Sequence, residues 1–249
     1  MNLKGRVVVV TGGNAGIGFG MAEGCAKAGA DIAIWSRRSD RNEEACHRLR
    51  EHGVRASSVA CDVSVEDDVR SAVEATVGEL GRIDACVASA GSPGYVAPLV
   101  DVSLQKWRSV TAVSLDGLFL TFREAVRQMI DQGEGGALVA VSSTSAVHGA
   151  ARNHAYAASK TGILGLTRAL AVELARHKIR VNAVLPGWTK TEMTAGAPDE
   201  FRAITTKRTP ARRWADPREF EEIGAFLCDP AQTFHTGDTM TVDGGYTIF

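Results

Sequence analysis

No charge of one sign dominates this chain: 29 acidic residues stand against 28 basic ones, a formal net charge of −1. So even a balance gives no electrostatic footprint for nucleic acid or for an acidic membrane surface. Long hydrophobic runs are missing too, the stretch Val7 to Val10 being far too short to cross a bilayer. No basic-plus-apolar leader precedes it, so the expectation is a cytoplasmic protein with no membrane and no nucleic-acid partner. Cys25, Cys46, Cys61, Cys86 and Cys228 are scattered, odd in number and without the CxxC spacing of zinc or redox sites. They read as reduced core or helix residues, and no metal ligand set is expected. Repeats, low-complexity tracts and linker-like changes of composition are absent. One domain over residues 1–249 follows, long enough for a substantial core.

What is present is a strand-helix alternation. Val7-Val8-Val9-Val10 is a β-branched run bounded by Gly5 and Gly12, suited to a strand buried on both faces. It feeds Thr11-Gly12-Gly13-Asn14-Ala15-Gly16-Ile17-Gly18 and a helical stretch to Ala28, ended by Gly29. Glycines between a strand and a helix let the backbone approach a pyrophosphate, whose charge the helix N-terminus favours. Tight turns need glycine for their own sake, so this piece alone leaves both readings open. The spacing is G-x-x-x-G-x-G, and no Gly-Lys-Ser/Thr follows to make a Walker loop.

Ile32 to Trp35 makes a second strand with Ser36-Arg37-Arg38 at its end, where dinucleotide folds meet the adenosine ribose. An acid there would accept from a free 2′-hydroxyl; two guanidiniums instead suit a 2′-phosphate. NADP(H) is therefore favoured over NAD(H), with Arg37 the first candidate, against the plainer reading of solvated loop arginines. Val54 to Cys61 reads as strand three. Asp62-Val63 follows, placed to meet the adenine edge, and Ser64 is expected to cap a helix over about 65–80 with Asp67 in its first turn. Strand four, Ile83 to Ala88, ends in Ser89-Ala90-Gly91, small residues past which a cofactor could run. A rival motif overlaps it, because Ala90-Gly91-Ser92-Pro93-Gly94 is similar to the nucleophile elbow of α/β-hydrolases. Pro93 argues against that reading, since the residue after an elbow serine should lend a backbone N–H.

A long helical segment runs from about Ser103 to Met129, with Gly117 as a candidate interruption, before strand five at Ala137 to Val141. The stretch Val141 to Gly165 then sets the hydroxyls of Ser142 and Ser143 ahead of a helix carrying Tyr156 and, four residues on, Lys160. Residues four apart share a helix face. A phenol titrates near ~10, and a fixed ammonium favours the phenolate. At about 4 Å and an effective dielectric of about 20 the interaction is worth roughly 4 kcal/mol, enough to move the phenol towards the range of general acid-base catalysis. Ser143 could then hold the reacting oxygen. The same helix, about 155–176, is rich in small residues that would admit a partner subunit.

Ile179 to Leu185 makes strand six, closed by Pro186-Gly187, and Thr239 to Val242 the last strand. Periodicity disappears from Trp188 to Arg213, which reads as a mobile substrate loop, and Asp216-Pro217 opens the last major helix. Alternating elements imply right-handed crossovers and a parallel sheet. The fold class is α/β: a Rossmann-like, doubly wound, seven-stranded parallel sheet flanked by helices in three layers. Ligands belong at the strands' carboxyl ends, where Gly12, Ser36, Ser89, Ser143 and Pro186 all fall.

Thr11-Gly12-x-x-x-Gly16-Ile17-Gly18, Asp62-Val63, Ala90-Gly91, Ser143, Tyr156-Ala157-Ala158-Ser159-Lys160, Asn182 to Gly187, Thr191 and Asp243-Gly244-Gly245 together resemble the short-chain dehydrogenase/reductase family along nearly the whole chain. The resemblance implies hydride transfer between a nicotinamide and a carbonyl or alcohol carbon. Tyr156 would be the acid/base and Ser143 would orient the substrate oxygen. Lys160 would bind the nicotinamide ribose and lower the tyrosine's pKa. Thr189, by its backbone, and Thr191 would hold the carboxamide. It also implies homotetramers or homodimers built on helices corresponding to 103–129 and 155–176, with the tail Tyr246 to Phe249 suited to another subunit contact. Two positions depart from the family. Ala88-Ser89 stands where Asn-Asn is usual, losing amide bonds that brace the sheet. Ser114 stands where a catalytic asparagine is usual; it keeps the backbone carbonyl that holds a water and can bend the helix by bonding a preceding carbonyl.

The expectation is an NADPH-dependent reductase of ketones, with 3-oxoacyl thioesters, sugars and cyclic ketones all open as substrates. Ser145, His148, Trp188 and Met193 are the candidate substrate contacts. The competing readings are a cofactor-sensing binding protein without chemistry and, behind it, the hydrolase centred on Ser92.

Overall fold

Seven short strands, most of them free of charge, alternate with amphipathic helices in a computed structural model describing residues 1–249. The strands are β1 (Val7–Thr11), β2 (Asp31–Ser36), β3 (Ala56–Ala60), β4 (Ala85–Ala88), β5 (Gly136–Val141), β6 (Ile179–Pro186) and β7 (Thr239–Val242). They pair in parallel in the order β3-β2-β1-β4-β5-β6-β7. The chain thus reverses direction of travel between β1 and β4, which opens a crevice at the carboxyl ends.

Side chains alternate across each strand, so Val7 and Val9 enter one apolar layer while Val8 and Val10 enter the other. The first layer holds α3 (Glu66–Leu80), α5 (Gly117–Gln132) and α6 (His154–Leu174); the second holds α1 (Gly16–Lys27), α2 (Ser39–Arg50) and α8 (Glu221–Cys228). Trp35 is fully buried, and its indole N–H is satisfied by Thr76 Oγ1 at 2.9 Å. On α1, Gly20 and Gly24 have no room for a Cβ, which would run into the carbonyl oxygens of Pro217 and Glu221. Those glycines let α1 and α8 touch backbone to backbone, and Lys27 Nζ meets Glu221 Oε2 at 2.5 Å across the seam.

Three local expectations are corrected. Ser64 does not cap α3: Val65 holds that position, while the Ser64 hydroxyl and N–H both donate to Asp62 Oδ1. The acid that reaches back is Asp68, accepting from the Asp62 N–H, and Asp67 stays exposed beside Arg70. The long helix is α4 (Leu104–Thr111), capped by Ser103, running through one π-helical turn over Ala112–Asp116 into α5. Gly117 does not interrupt it; a Cβ there would press on Val63. Third, the 188–213 segment is not structureless. It contains a 3-10 turn at Glu192–Thr194 and a helix, α7 (Asp199–Arg208), whose apolar residues are too few to show a period.

Candidate active site

β5 and α6 bring the proton-handling groups together. Past the end of β5, the Ser142 hydroxyl donates to the Lys160 carbonyl at 2.7 Å, pinning α6 to the strand. Ser143 opens a 3-10 turn over Thr144–Ala146, and its oxygen accepts the Ser145 N–H at 3.1 Å. With that lone pair engaged, the Ser143 hydroxyl hydrogen is left to donate elsewhere. Tyr156 and Lys160 project from one face of α6, the ammonium 5.6 Å from the phenol ring centroid. Lys160 is only 4% exposed, and its Nζ donates to the Val141 carbonyl at 2.8 Å. A Cβ added to Gly91 would stand 3.6 Å from that Nζ and 4.0 Å from Ser114 Oγ, so the three border one small space at the end of β4.

Ser114 lies in the π turn, buried, and its hydroxyl accepts the Ser92 N–H at 3.1 Å. The helix is therefore bent by the π turn rather than by a serine-to-carbonyl bond within it. Ser92 itself takes the Gly94 N–H at 3.3 Å, and no histidine bonds to it, so the hydrolase arrangement is not formed. Burial pushes the Tyr156 phenol up, with the Ser143 hydroxyl beside it pulling the other way, while burial alone brings Lys160 down to about 8.

Residues 12–247 match the family described as enoyl-(acyl carrier protein) reductase. This chain belongs to the short-chain dehydrogenase/reductase family. It is 40% identical over 242 residues to a cis-4-hydroxycyclohexanecarboxylate dehydrogenase of Sinomonas cyclohexanicum, covering 97% of this chain and 96% of that one. It is 36% identical to a 5-keto-D-gluconate 5-reductase of Escherichia coli K12 over 249 residues, 99% and 97% of the two. A gluconate 5-dehydrogenase from Burkholderia cenocepacia J2315, solved with NADP and tartrate, superposes with a TM-score of 0.93 at 33% identity, over 99% of this chain and 96% of that one. The protein is accordingly an NAD(P)-dependent oxidoreductase acting between alcohol and carbonyl.

The carboxyl edge of this dehydrogenase/reductase fits a dinucleotide. Gly12 and Gly16 take left-handed backbone, φ +63° and +56°, that other residues rarely adopt. Gly18 packs onto the Gly12 carbonyl, where a Cβ could not fit, so the turn from Asn14 through Ile17 leads its N–H groups straight into α1. The brace lost with the usual asparagines is supplied by Thr11, whose hydroxyl accepts the N–H of both Ser89 and Ala90 at 3.1 Å. At the far end, Asn42 is fully buried; its amide donates to the Ser36 carbonyl and accepts from Asn14. Arg37 is exposed, makes no ion pair and helps Ser64 hold the Asp62 carboxyl below its ordinary range. Arg38 is engaged, donating to Glu192 at 3.2 Å alongside Arg41. At the nicotinamide end, β6 closes on Pro186, and the Gly187 N–H bonds to Val242. Thr189 keeps its N–H free while its carbonyl accepts from Thr194, and the Thr191 side chain faces Gly16.

Where substrate contacts were expected stands an aromatic wall. Trp188 stacks on Trp214, ring centroids 5.5 Å apart, and meets Phe201 of α7 edge-on at 4.9 Å. Tyr246 turns its ring to His148 and Trp188, at 6.0 and 6.4 Å. Tyr246 is thus half-buried within the chain, while Ile248 and Phe249 are exposed. Ser145 is half-buried beside Ser143, and Met193 is exposed on the turn after Thr191. Sequence reasoning missed Asn42, Glu192, Trp214 and Tyr246. Only Tyr246, an aromatic directly after Asp243-Gly244-Gly245, offered a signal.

Proposed function

We propose that this protein is an NADPH-preferring carbonyl reductase, the reverse reaction being oxidation of a secondary alcohol. The observation that carries it is the small space bordered by Gly91, Ser114 and the buried Lys160 ammonium, one helical turn from Tyr156 and beside Ser143. Bound nicotinamide supplies a hydride for the substrate carbon. Ser143, its oxygen already fixed by Ser145, donates to the substrate oxygen. Tyr156 delivers the proton that this oxygen needs as it becomes an alcohol: burial keeps the phenol protonated at neutral pH, and the Ser143 hydroxyl beside it favours the phenolate left behind. Lys160 holds the nicotinamide ribose and, titrating at about 8, can replace the proton at neutral pH.

Preference for NADPH is supported by Arg37, an unpaired guanidinium next to Ser36 where an acid would select NAD. A relative's NADP complex is in keeping with it. The substrates named for the relatives at 40% and 36% identity, a hydroxylated ring acid and a keto sugar acid, put cyclic ketones and sugars ahead of the 3-oxoacyl thioesters for which a 33% identical relative is named. The reading further takes residues 1–249 as one domain whose 188–213 segment moves over the substrate, in a cytoplasmic homotetramer or homodimer. Exposed Leu104, Phe119 and Val172 on the long helix and α6 support the self-association. The test is NADPH oxidation over a panel of ketones with wild type and Tyr156→Phe. Loss of turnover at unchanged NADPH affinity is expected, and retained turnover overturns the assignment.

A further inference from the structure

Three ring nitrogens, two on the aromatic wall and one at the start of α6, are buried without any hydrogen-bond partner: His148 Nε2, Trp188 Nε1 and His154 Nδ1. Buried polar atoms are rarely left so, and their cost is relieved by a ligand that offers hydroxyl or carboxylate oxygens. A purely hydrocarbon substrate would leave all three unmet. The wall also ends in a cation. Arg208, the last residue of α7, lies with its guanidinium carbon 4.4 Å from the centroid of Tyr246, the same ring that meets His148 and Trp188.

The other guanidiniums of this segment are tied down. Arg202 donates to the carbonyls of Thr194, Ala195 and Ala197, Arg212 to that of Lys207, and Arg213 to Glu219. Arg208 makes no such bond. A guanidinium over a phenol ring is held by the ring's π face, and with no hydrogen bond of its own its N–H fork can take a carboxylate with two parallel bonds.

We infer that Arg208, held on Tyr246, is the recognition group for a carboxylate on the substrate, making the substrate class oxo or hydroxy acids whose acid group lies several bonds from the reacting carbon. This rests on the carbonyl-reductase reading above. The remoteness rests on the layout: His148 belongs to the segment that carries Ser143 and meets the Tyr246 ring at 6.0 Å between centroids, and the cation lies over that ring, 4.4 Å from its centroid, and not on the Ser143 segment itself. An acid group next to the reacting carbon would not reach it; one across a six-membered ring or along a sugar chain would. The ring nitrogens of His148, His154 and Trp188 then serve the oxygens between.

The test has two arms, each run on wild type, Arg208→Leu and Arg208→Lys. In the first, 4-oxocyclohexanecarboxylate and its methyl ester are reduced with NADPH. Wild type is expected to prefer the acid by about 30-fold in kcat/KM, the size of one charge-assisted bidentate contact. Arg208→Leu should erase that preference through KM with kcat nearly unchanged and leave the ester within twofold; Arg208→Lys should restore part of it. In the second arm, calorimetry follows cyclohexanecarboxylate and cyclohexanecarboxamide binding to the NADP-loaded protein, with the acid expected to bind wild type, to bind Arg208→Lys more weakly and not to bind Arg208→Leu. Turnover of acid and ester alike, or equal losses of both in Arg208→Leu, would overturn the role of Arg208 and leave the reductase reading standing. Binding of the acid that depends on Arg208 without turnover of any ketone would support Arg208 and sink the reductase reading. Neither turnover nor acid binding would end both.

Discussion

The nucleotide edge and the substrate wall are built on different principles. Along the edge, function sits in the backbone: left-handed Gly12 and Gly16, the N–H groups at the start of α1, and Thr11 bracing two amides. The wall is made of side chains from three distant stretches, 148–154, 188–214 and Tyr246, held mainly by ring contacts, with the ring nitrogens of His148, His154 and Trp188 left unpaired. A family can thus keep one half fixed by geometry and vary the other by exchanging rings and charges.

That contrast can be broken at its joint. Tyr156→Phe serves both halves and should lower kcat about a thousandfold while NADPH affinity, measured by fluorescence titration, stays within twofold. An equal loss in affinity would mean the phenol belongs to the edge. Next in size, Arg37→Ala should weaken NADPH about tenfold or more, one charge-assisted contact, and NADH hardly at all; parallel losses would remove Arg37 from phosphate recognition. Lys160→Met tests the burial cost. A lysine held at about 8 instead of 10.5 prefers on folding to be neutral. Between those values the unfolded chain binds more protons, so stability climbs with pH, and the full cost is present below about 8. The variant should therefore melt a few degrees higher at pH 7, on the order of 1–2 kcal/mol, with the margin closing towards pH 10. A lower melting point at pH 7 would show the Val141 bond outweighing desolvation. The smallest effect belongs to Glu192→Gln. Freeing Arg38 and Arg41 from an exposed ion pair should tighten NADPH binding two- to fivefold, the worth of a surface pair, without changing NADH.

How legible each half was follows the same division. The glycine turn, the seven-stranded parallel sheet and the shared helix face of Tyr156 and Lys160 were readable because each follows from spacing within a few residues or from the parallel-sheet rules. Ser64 misled because a serine before a helix can equally serve an Asx turn, and here Asp62 claimed it. The 188–213 segment hid α7 because its stability comes from Phe201 and Thr205 docking on Trp188 and Trp214, contacts that leave no period behind. Tyr246 was read as tail because nothing local says which ring it will meet. The Val141 carbonyl that takes the Lys160 ammonium was not legible, because position on a helix face says nothing of which carbonyl an ammonium will choose.

The glycine seam between α1 and α8 has a consequence for how the molecule forms. Residues 20 and 24 can only meet 217 and 221 after almost the entire sheet has been laid down between them. Such far-apart closures are slow, so the helix that would greet the cofactor's phosphates acquires its final support late. The first βαβ unit, familiar as it looks, is then no detachable cassette: cut away from residues 217–228, it would leave a glycine-lined groove open to water.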